Sequence, residues 1–506
     1  MEGQLTHAIK YAGAAIAALI AGTGAGRALE AGDVWRNLQE LGALDGITVT
    51  ANTEETADGL ALSDVTYSVD DDGMRADVTF SQMRFVDRDD GTVAIVLPES
   101  QPMEVATSGP DIGALKARMT LAASGLDMVA SEVEDGVAYD YTAPEVSLTL
   151  EDAVVEGDPV DASGSLTMSD VSSRQTLANA AEIATNTLDL QIGSVALAGE
   201  TTQPDGPGEA TLEIELGALA STGEWRVPTG PQTEDIGPAL EAGLRTVSET
   251  MLEGMTVSSR VIESDDRVQS VSAEAQSLSV SSRLSAEGAR YRFEQIEPSL
   301  TGSGQDIPPG ESTVSAERIA AEVAGPVTPS DEAADLTLSL AVEALNSGDS
   351  IWSFADPQGE LPHEPSTLIV DLAARGRWTE PLLGRDVMTS FDQPPGEIES
   401  LTINELRLST LGAEVTGEGE FTFDNTDTET FPGVPRPVGM VEFVATGVTG
   451  MIDQLVAAGV APDQAANGAR MMLGLVARPG EGEDTLVSEI EFTEDGQLLA
   501  NGTPIR

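Results

Sequence analysis

The stretch LALSDVTYSVDDDGMRADVTF, residues 60–80, decides the fold class of this chain. From Leu60 onward nearly every second residue is apolar, Asp72-Gly73 follows, and the alternation resumes after Met74. A period of two places the apolar side chains on one face of a strand, and Asp-Gly is a common hairpin turn. The stretch therefore predicts an antiparallel hairpin with one apolar and one polar face.

The same pattern recurs along the chain, with acidic-glycine turns at Asp90-Gly91, Asp135-Gly136, Glu287-Gly288 and Asp495-Gly496. The second and third of these turns lie 152 residues apart in stretches of matching spacing that carry paired aromatic residues. Two explanations stay open, a duplicated β unit and two unrelated hairpins of similar composition. The predicted fold class is mainly β with a few helices (α+β), built on an elongated, curved antiparallel meander sheet.

Apolar residues at helical spacing predict helices in four places. These are Ser173 to Ala184, Ile236 to Glu253, Gly450 to Ala458 and Pro462-Asp463 to Ala477. The last two flank Gly459 and predict a C-terminal helical hairpin. These elements divide the chain into five parts. They are a signal peptide (residues 1–28), an N-terminal β portion (29–235), a linking helix (236–255), a second β portion (256–394) and a C-terminal β portion with the helical hairpin (395–506).

The N-terminal segment has the composition of a cleavable export signal. Lys10 precedes an uncharged apolar stretch, and Gly26-Arg27-Ala28 offers small residues around a cleavage site after Ala28. The alternative is a membrane anchor, but the uncharged stretch is shorter than the ~20 residues that a spanning helix needs. We expect a periplasmic protein whose mature chain has no transmembrane span.

The composition excludes several classes of function. The chain has 86 Asp and Glu against 25 Lys and Arg, a formal net charge of −61, so it repels nucleic acid and anionic lipid. It has no Cys, and His363 is the one histidine left after signal removal, in a proline-flanked segment that favours an exposed turn. Thiol nucleophiles, histidine-ligated zinc and haem are therefore not expected, and we predict no cofactor and no enzymatic activity.

Two sets of residues are candidates for ligand contacts. Met471, Met472 and Leu475 on the last helix could line a flexible apolar pocket or gate one end of the sheet, although methionines at helical spacing also fill cores. The acidic turns, which could hold Ca²⁺, carry Asp70, Asp71, Asp72, Asp87, Asp89 and Asp90. Neither turn matches an EF-hand loop. The four tryptophans of the mature chain are predicted to be packing anchors: Trp35, Trp225, Trp352 and Trp378.

The C-terminal region resembles a proteobacterial family known as domain of unknown function 2125. Five motifs carry the resemblance: Phe421 to Asn425, Gly433 to Gly439, Gly468 to Gly474, Ala477 to Gly480 and Leu498 to Gly502. The N-terminal Asp33-Val34-Trp35 also fits this family. The resemblance implies an exported, mostly β protein and brings no catalytic or binding residues. The architecture is also similar to that of AsmA-like lipid-handling proteins, whose long curved sheets hold acyl chains. We expect this chain to differ from them in lacking their N-terminal membrane anchor.

The sequence leaves three function classes open. The first is a non-catalytic scaffold or carrier of a hydrophobic, lipid-like ligand, with lipid or a periplasmic protein as its partner. The second is a calcium-stabilised structural or interaction protein. The third is a hydrolase that uses two carboxylates, for which 86 acidic residues offer too many pairs to choose among. The alternating pattern leaves open whether the apolar face of the sheet is covered by helices of the chain or by a ligand.

Overall fold

The computed structural model describes residues 29–505, apart from short gaps at 45, 72–73, 110–112, 135, 180–182, 203–207, 229–235, 264–266, 306, 309, 381–382 and 384–394. The predicted signal peptide, residues 1–28, lies outside the described residues. The chain forms two compact units. Among the described residues, unit 1 comprises 29–228 and 246–272, and unit 2 comprises 236–245 and 273–505.

Helices contribute little to the described part of the chain. They are α1 (Ala31–Leu44), α2 (Ile236–Glu241), α3 (Asp349–Ala355), α4 (Val448–Ala457) and α5 (Asp463–Val476). No helix within the described ranges is both long and apolar enough to cross a bilayer.

Strands make up most of the described residues, which confirms the mainly β fold class. The first fifteen are β1 (Ile47–Thr56), β2 (Gly59–Asp71), β3 (Met74–Asp87), β4 (Val93–Val96), β5 (Ser100–Gly109), β6 (Gly113–Ser124), β7 (Asp127–Val133), β8 (Gly136–Val155), β9 (Asp158–Val160), β10 (Ala162–Asn179), β11 (Ile183–Ile192), β12 (Ser194–Thr202), β13 (Glu209–Leu216), β14 (Leu219–Pro228) and β15 (Arg245–Ile262).

The remaining strands are β16 (Val268–Ser285), β17 (Gly288–Ile296), β18 (Ser299–Ser303), β19 (Ser312–Ser315), β20 (Arg318–Gly325), β21 (Ala334–Ser347), β22 (Ser366–Trp378), β23 (Gly396–Thr410), β24 (Ala413–Asp424), β25 (Arg436–Thr446), β26 (Arg478–Pro479), β27 (Thr485–Phe492), β28 (Leu498–Ala500) and β29 (Thr503–Pro504).

Each unit is an antiparallel meander in which chain neighbours pair. In unit 1, β2 pairs with β3, and β3 pairs with β4 at one end and with β5 at the other. The strands β4 and β5 thus act as one interrupted strand, and β6 with β7 and β11 with β12 do the same. Such interruptions bend a strand without ending its pairing. The predicted meander is confirmed for the described strands.

The main core lies in unit 1 under helix α1. Val34 and Leu38, one turn apart on α1, are completely buried against the apolar face of the first eight strands, where Phe80 and Phe85 are also inaccessible to water. The backbone N–H of Ala31 donates to Asp87 Oδ1 at 2.7 Å, which fixes the start of the helix. Here the chain covers its own apolar face.

The predicted helix over Ser173 to Ala184 is wrong. Residues up to Asn179 continue β10, which pairs with β8 on one side and with β11 on the other. Leu177 is buried among core residues, and it lies opposite Val137. Alanines at helical spacing gave the helical signal, but hydrogen bonding on both edges of the strand and burial of alternate residues outweigh a weak local propensity.

The predicted helix over Ile236 to Glu253 is mostly wrong as well. Only Ile236–Glu241 is helical, and the chain enters β15 at Arg245. Gly243 has a φ of +105°, a backbone conformation that ends a helix and favours glycine. The residues beyond it include β-branched side chains that suit an extended strand.

Two other sequence predictions agree with the structure. The C-terminal helical hairpin is present as α4 and α5, and Gly459, with a φ of +73°, follows the first of these helices. The two hairpins that suggested a duplication share one register, since Asp127 lies opposite Thr142 and Ser279 opposite Glu294, each 152 residues further along. The common register is compatible with both explanations of their similarity.

Candidate functional site

One face of the sheet in unit 2 is apolar across nine strands. Cross-strand partners define three rows on this face, and none of the residues in them is charged. The rows are Leu278, Gln295, Ile319, Val342, Leu368, Leu408, Val415, Ala445 and Leu486; Val280, Phe293, Ala321, Leu340, Val370, Leu406, Gly417, Phe443 and Ser488; and Ser282, Tyr291, Val323, Leu338, Leu372, Ile403, Gly419, Val441 and Ile490. We call these residues the apolar face.

The opposite side of the same strands is acidic. The residues between the second and third rows belong to this side, because successive side chains in a strand point to opposite faces. They include Asp371 opposite Glu405 and Glu418 opposite Glu442, which in turn lies opposite Glu489. The acidic side chains of these strands therefore lie on the side of the sheet opposite the apolar face.

The apolar face is open to solvent, in contrast to the core of unit 1. Val323 and Leu338, which lie opposite each other in the third row, are 54% and 46% exposed. Tyr291 and Leu408 are exposed to a similar degree. Only Val441 and Gly417 in the three rows are buried. Residues of the described chain therefore do not cover this face as α1 covers the face in unit 1.

Two bulky side chains of this sheet lie against a glycine of the neighbouring strand. A Cβ added at Gly417 would come within 2.7 Å of the ring of Phe443, its cross-strand partner. Gly396 is related in the same way to the indole of Trp378. Side chains that lie across glycines do not project toward a second layer, so they leave a low, continuous apolar surface.

The helix α5 lies at one edge of the apolar face. Ser488, the β27 residue of the second row, donates its hydroxyl to the carbonyl oxygen of Val476 at 2.6 Å, so the end of α5 is on the apolar side of β27. The candidate residues on this helix are all open to solvent, with Met471 67%, Met472 57% and Leu475 62% exposed. The structure thus places the helix beside the apolar face and its three candidate side chains outside any core of the described residues.

The start of the helical hairpin is fixed by Asp484. The backbone N–H of Gly450 donates to Asp484 Oδ2 at 2.9 Å, and the Thr449 hydroxyl contacts the other carboxylate oxygen. Although burial works in the opposite direction, the hydrogen bonds from Thr449 and Gly450 lower the pKa of Asp484. An ionised carboxylate at the first turn of α4 is favourable, since the N-terminus of a helix is positive.

The acidic residues proposed for calcium are not gathered into one site. Asp70 and Asp71 end β2. Asp87 is the last residue of β3, and Asp89 and Asp90 follow it, some 13 residues and roughly 44 Å from the start of β3 along an extended strand. Asp87 accepts the N–H of Ala31, as described above. Asp72 lies outside the described residues.

Within its own turn, Asp90 is already engaged. Its Oδ1 accepts the hydroxyl of Thr92 at 2.7 Å and the N–H of Thr92 at 3.1 Å, and these bonds lower its pKa. Among the described residues, no group of three or more His, Asp or Glu side chains has the arrangement of a metal site.

The tryptophans occupy four different environments. Trp35 packs against Phe85 beside the core of unit 1, and Trp225 lies over Gly223. Trp378 donates its indole N–H to the carbonyl of Pro326 at 2.6 Å. Trp352 has a different neighbour, described next.

The single histidine among the described residues, His363, lies in a structured loop. The rings of Trp352 and His363 are stacked at 4.4 Å, and His363 Nε2 is 3.7 Å from the buried carboxylate of Asp356. Asp356 also accepts the N–H of Leu361 at 2.7 Å, and this bond, aided by His363, lowers its pKa. These contacts close the loop between β21 and β22 on itself.

Sequence reasoning identified the alternating strands but missed the extent of the apolar face. It proposed Met471, Met472 and Leu475, whose helix lies at one edge of this face, and named none of the residues of the three rows. The signal was present in the alternation of β21, Leu336 to Val342, and of β22, Leu368 to Leu372. Only the register shows that these alternations fall on the same side.

A comparison with family models places part of this chain in a known family. The model described as "Uncharacterized protein conserved in bacteria (DUF2125)" matches residues 237–505, which is slightly more than half of the chain and includes most of unit 2. The N-terminal Asp33-Val34-Trp35 lies outside the match. No curated protein and no solved structure matches the chain.

Proposed function

The chain belongs to the bacterial DUF2125 family, and we propose that its role is to hold a hydrophobic, acyl-chain-like ligand on the apolar face of unit 2. The observation that carries the proposal is a face of nine paired strands without a charged residue in its three rows, on which the aliphatic side chains of β20 to β23 are up to about half exposed. The ligand would be lipid-like, and the protein would act as a carrier or scaffold rather than as an enzyme.

The size of the apolar face supports a ligand. Nine strands at about 4.8 Å span roughly 38 Å, and three rows of alternate residues span roughly 14 Å along the strands. The resulting area of about 500 Å² is in the upper range of the largest apolar patch on a typical monomer, and patches of that size are often functional. One leaflet of a bilayer core is about 15 Å thick, so an acyl chain is close in length to the width of this face.

The chemistry of the face favours hydrocarbon over a polar ligand. The backbone groups of the inner strands are paired on both sides, so they offer no hydrogen bonds to a molecule lying on the sheet. A buried polar group without a partner costs about 1–3 kcal/mol, whereas each buried methylene contributes about 0.8 kcal/mol. Acyl chains meet these conditions, because they carry no polar group along their length.

The helix α5 would border the bound ligand. Met471, Met472 and Leu475 are flexible or branched apolar side chains, and methionine adapts its shape to different partners. Because α5 is held beside β27 through Ser488, a chain lying across the last strands would meet this helix. The proposed role of the three residues is to close that end of the site.

The proposed place of action is the periplasm, after export. This part of the proposal depends on the signal-like composition of residues 1–28 and on the strongly acidic surface, which suits a soluble protein. Export is tested by the N-terminal sequence of the mature protein, which should begin at Leu29. A mature protein that retains residue 1 would contradict it.

Native mass spectrometry of the purified protein, followed by organic extraction, tests the binding role. We expect adducts with the masses of acyl-chain lipids, and uptake of a fluorescent fatty acid by the delipidated protein. A clean apo mass together with no uptake of the probe would overturn the proposal. A fluorescent probe that binds equally well to the urea-unfolded chain would also count against it.

A further inference from the structure

A cluster of three arginines stands out on the acidic side of unit 2. Arg283 on β16 lies directly opposite Arg290 on β17, and Arg292 follows two residues later on the same face. Like charges that face each other across an antiparallel pair are destabilising. In a chain with a net charge of −61, arginines would be expected to lie opposite acidic residues instead.

The cluster is poorly neutralised. Arg290 and Arg292 share one carboxylate, that of Glu322, at 3.3 and 2.6 Å, and their side chains remain 55% and 54% exposed. Arg283 forms no ion pair with any residue that the structure describes. The cluster therefore has three guanidinium groups and one paired carboxylate, and together these four groups carry a charge of about +2.

Other arginines of the same unit are neutralised differently. Four of them lie within 4 Å of two carboxylates each. They are Arg318 with Glu294 and Glu343, Arg375 with Asp335 and Glu399, Arg377 with Asp331 and Glu397, and Arg436 with Asp424 and Asp427. The excess of acid that surrounds these four arginines is reversed at Arg283, Arg290 and Arg292.

We propose that Arg283, Arg290 and Arg292 form a binding site for a phosphate group. Guanidinium groups bind phosphate oxygens through two parallel N–H donors, and a pair on facing strands can approach one phosphate from two sides. The cluster is compact and has acidic neighbours, so it suits one small, highly charged anion rather than an extended acidic polypeptide. The phosphate can belong to a soluble ester or to a lipid head group.

The site is independent of the proposed hydrophobic ligand. The three arginines point away from the apolar face, to which Tyr291 between two of them belongs. A molecule bound at the arginines therefore does not need the apolar face, and loss of one binding activity does not predict loss of the other.

Calorimetric titration of the full-length protein with inorganic phosphate and pyrophosphate, at constant ionic strength, tests this site. We expect saturable binding that becomes about tenfold weaker or undetectable in the Arg283→Gln, Arg290→Gln double variant. The matched control is Arg375→Gln, which removes an arginine that two carboxylates already neutralise and should bind as the wild type does. Because the double variant also loses a like-charge contact, its melting temperature should not fall.

Absence of saturable phosphate binding to the wild type, or equal binding to the double variant, would overturn the proposal. Sedimentation with vesicles of phosphatidylcholine, with and without phosphatidic acid, assigns the source of the phosphate. Binding only to vesicles with phosphatidic acid, abolished in the double variant, assigns a lipid head group, and phosphate binding without vesicle binding assigns a soluble ester.

Discussion

Replacing Leu338 with Asp is the most direct test of the apolar face. Leu338 lies in the third row and is 46% exposed, so about half of its side chain is buried by neighbours. Full burial of a leucine contributes about 1.5–3 kcal/mol, so the substitution should lower the free energy of unfolding by about 1 kcal/mol. That loss leaves the protein folded.

The effect on the ligand should be larger than the effect on folding. A carboxylate at position 338 keeps its water, so a bound chain would lift from the sheet over about three methylenes, each of which contributes about 0.8 kcal/mol. The loss of about 2 kcal/mol corresponds to binding that is about thirtyfold weaker. Titration of a fluorescent fatty acid gives the affinity, and urea unfolding followed by circular dichroism gives the stability.

Met440→Asp is the matched control. Met440 is 43% exposed, nearly the same as Leu338, but it lies on the acidic side of the sheet between Glu420 and Glu491. It should lose somewhat more stability than Leu338→Asp, because the new carboxylate would face Glu420 and Glu491, and it should keep the affinity of the wild type for the probe. If Leu338→Asp binds the probe as the wild type does, or if both variants lose affinity equally, the apolar face is not the binding surface.

Three further predictions follow from single side chains. Met472→Asp should leave the free energy of unfolding within about 0.5 kcal/mol of the wild type, because the residue is exposed, and should speed the release of bound ligand. Tyr67→Phe should raise the free energy of unfolding by about 1 kcal/mol, because the buried Tyr67 hydroxyl has no hydrogen-bond partner among the described residues. Hydrogen bonds from Thr426 and Arg436 lower the pKa of Asp424 to about 2. The stabilisation that these bonds give should therefore be complete above pH ~4 and should be lost as the pH falls toward 2. We expect the melting temperatures of the wild type and of Asp424→Asn to converge over that range.

Each of these predictions has an outcome that contradicts it. Unfolding of Met472→Asp at low urea would make the residue part of a core. A destabilised Tyr67→Phe would mean that an ordered water satisfies the hydroxyl. Melting temperatures of the wild type and Asp424→Asn that stay apart at pH 2 would mean that ionisation of Asp424 is not the source of the difference.

Strands were easier to predict than helices in this chain. The alternation around residues 60–80 gave the hairpin of β2 and β3, since period-two patterns arise only when one face is apolar. The stretch from Ser173 to Ala184 has a helical signal of small residues and became a strand, because β8 and β11 supply hydrogen bonds to both of its edges. The C-terminal helices were predicted correctly since Gly459 and Pro462 mark their ends locally.

The sequence by itself determined the antiparallel β class, the turns, the helical hairpin and the excess of negative charge, because each depends on neighbours within a few residues along the chain. Only the tertiary structure decided that, among the described residues, α1 packs onto the core of unit 1 whereas the apolar face of unit 2 keeps exposed side chains on β17 and on β20 to β23. It also decided that Arg283 lies opposite Arg290. Both results depend on strand register and on which segment packs over a face, and these are set by contacts between residues far apart in the chain.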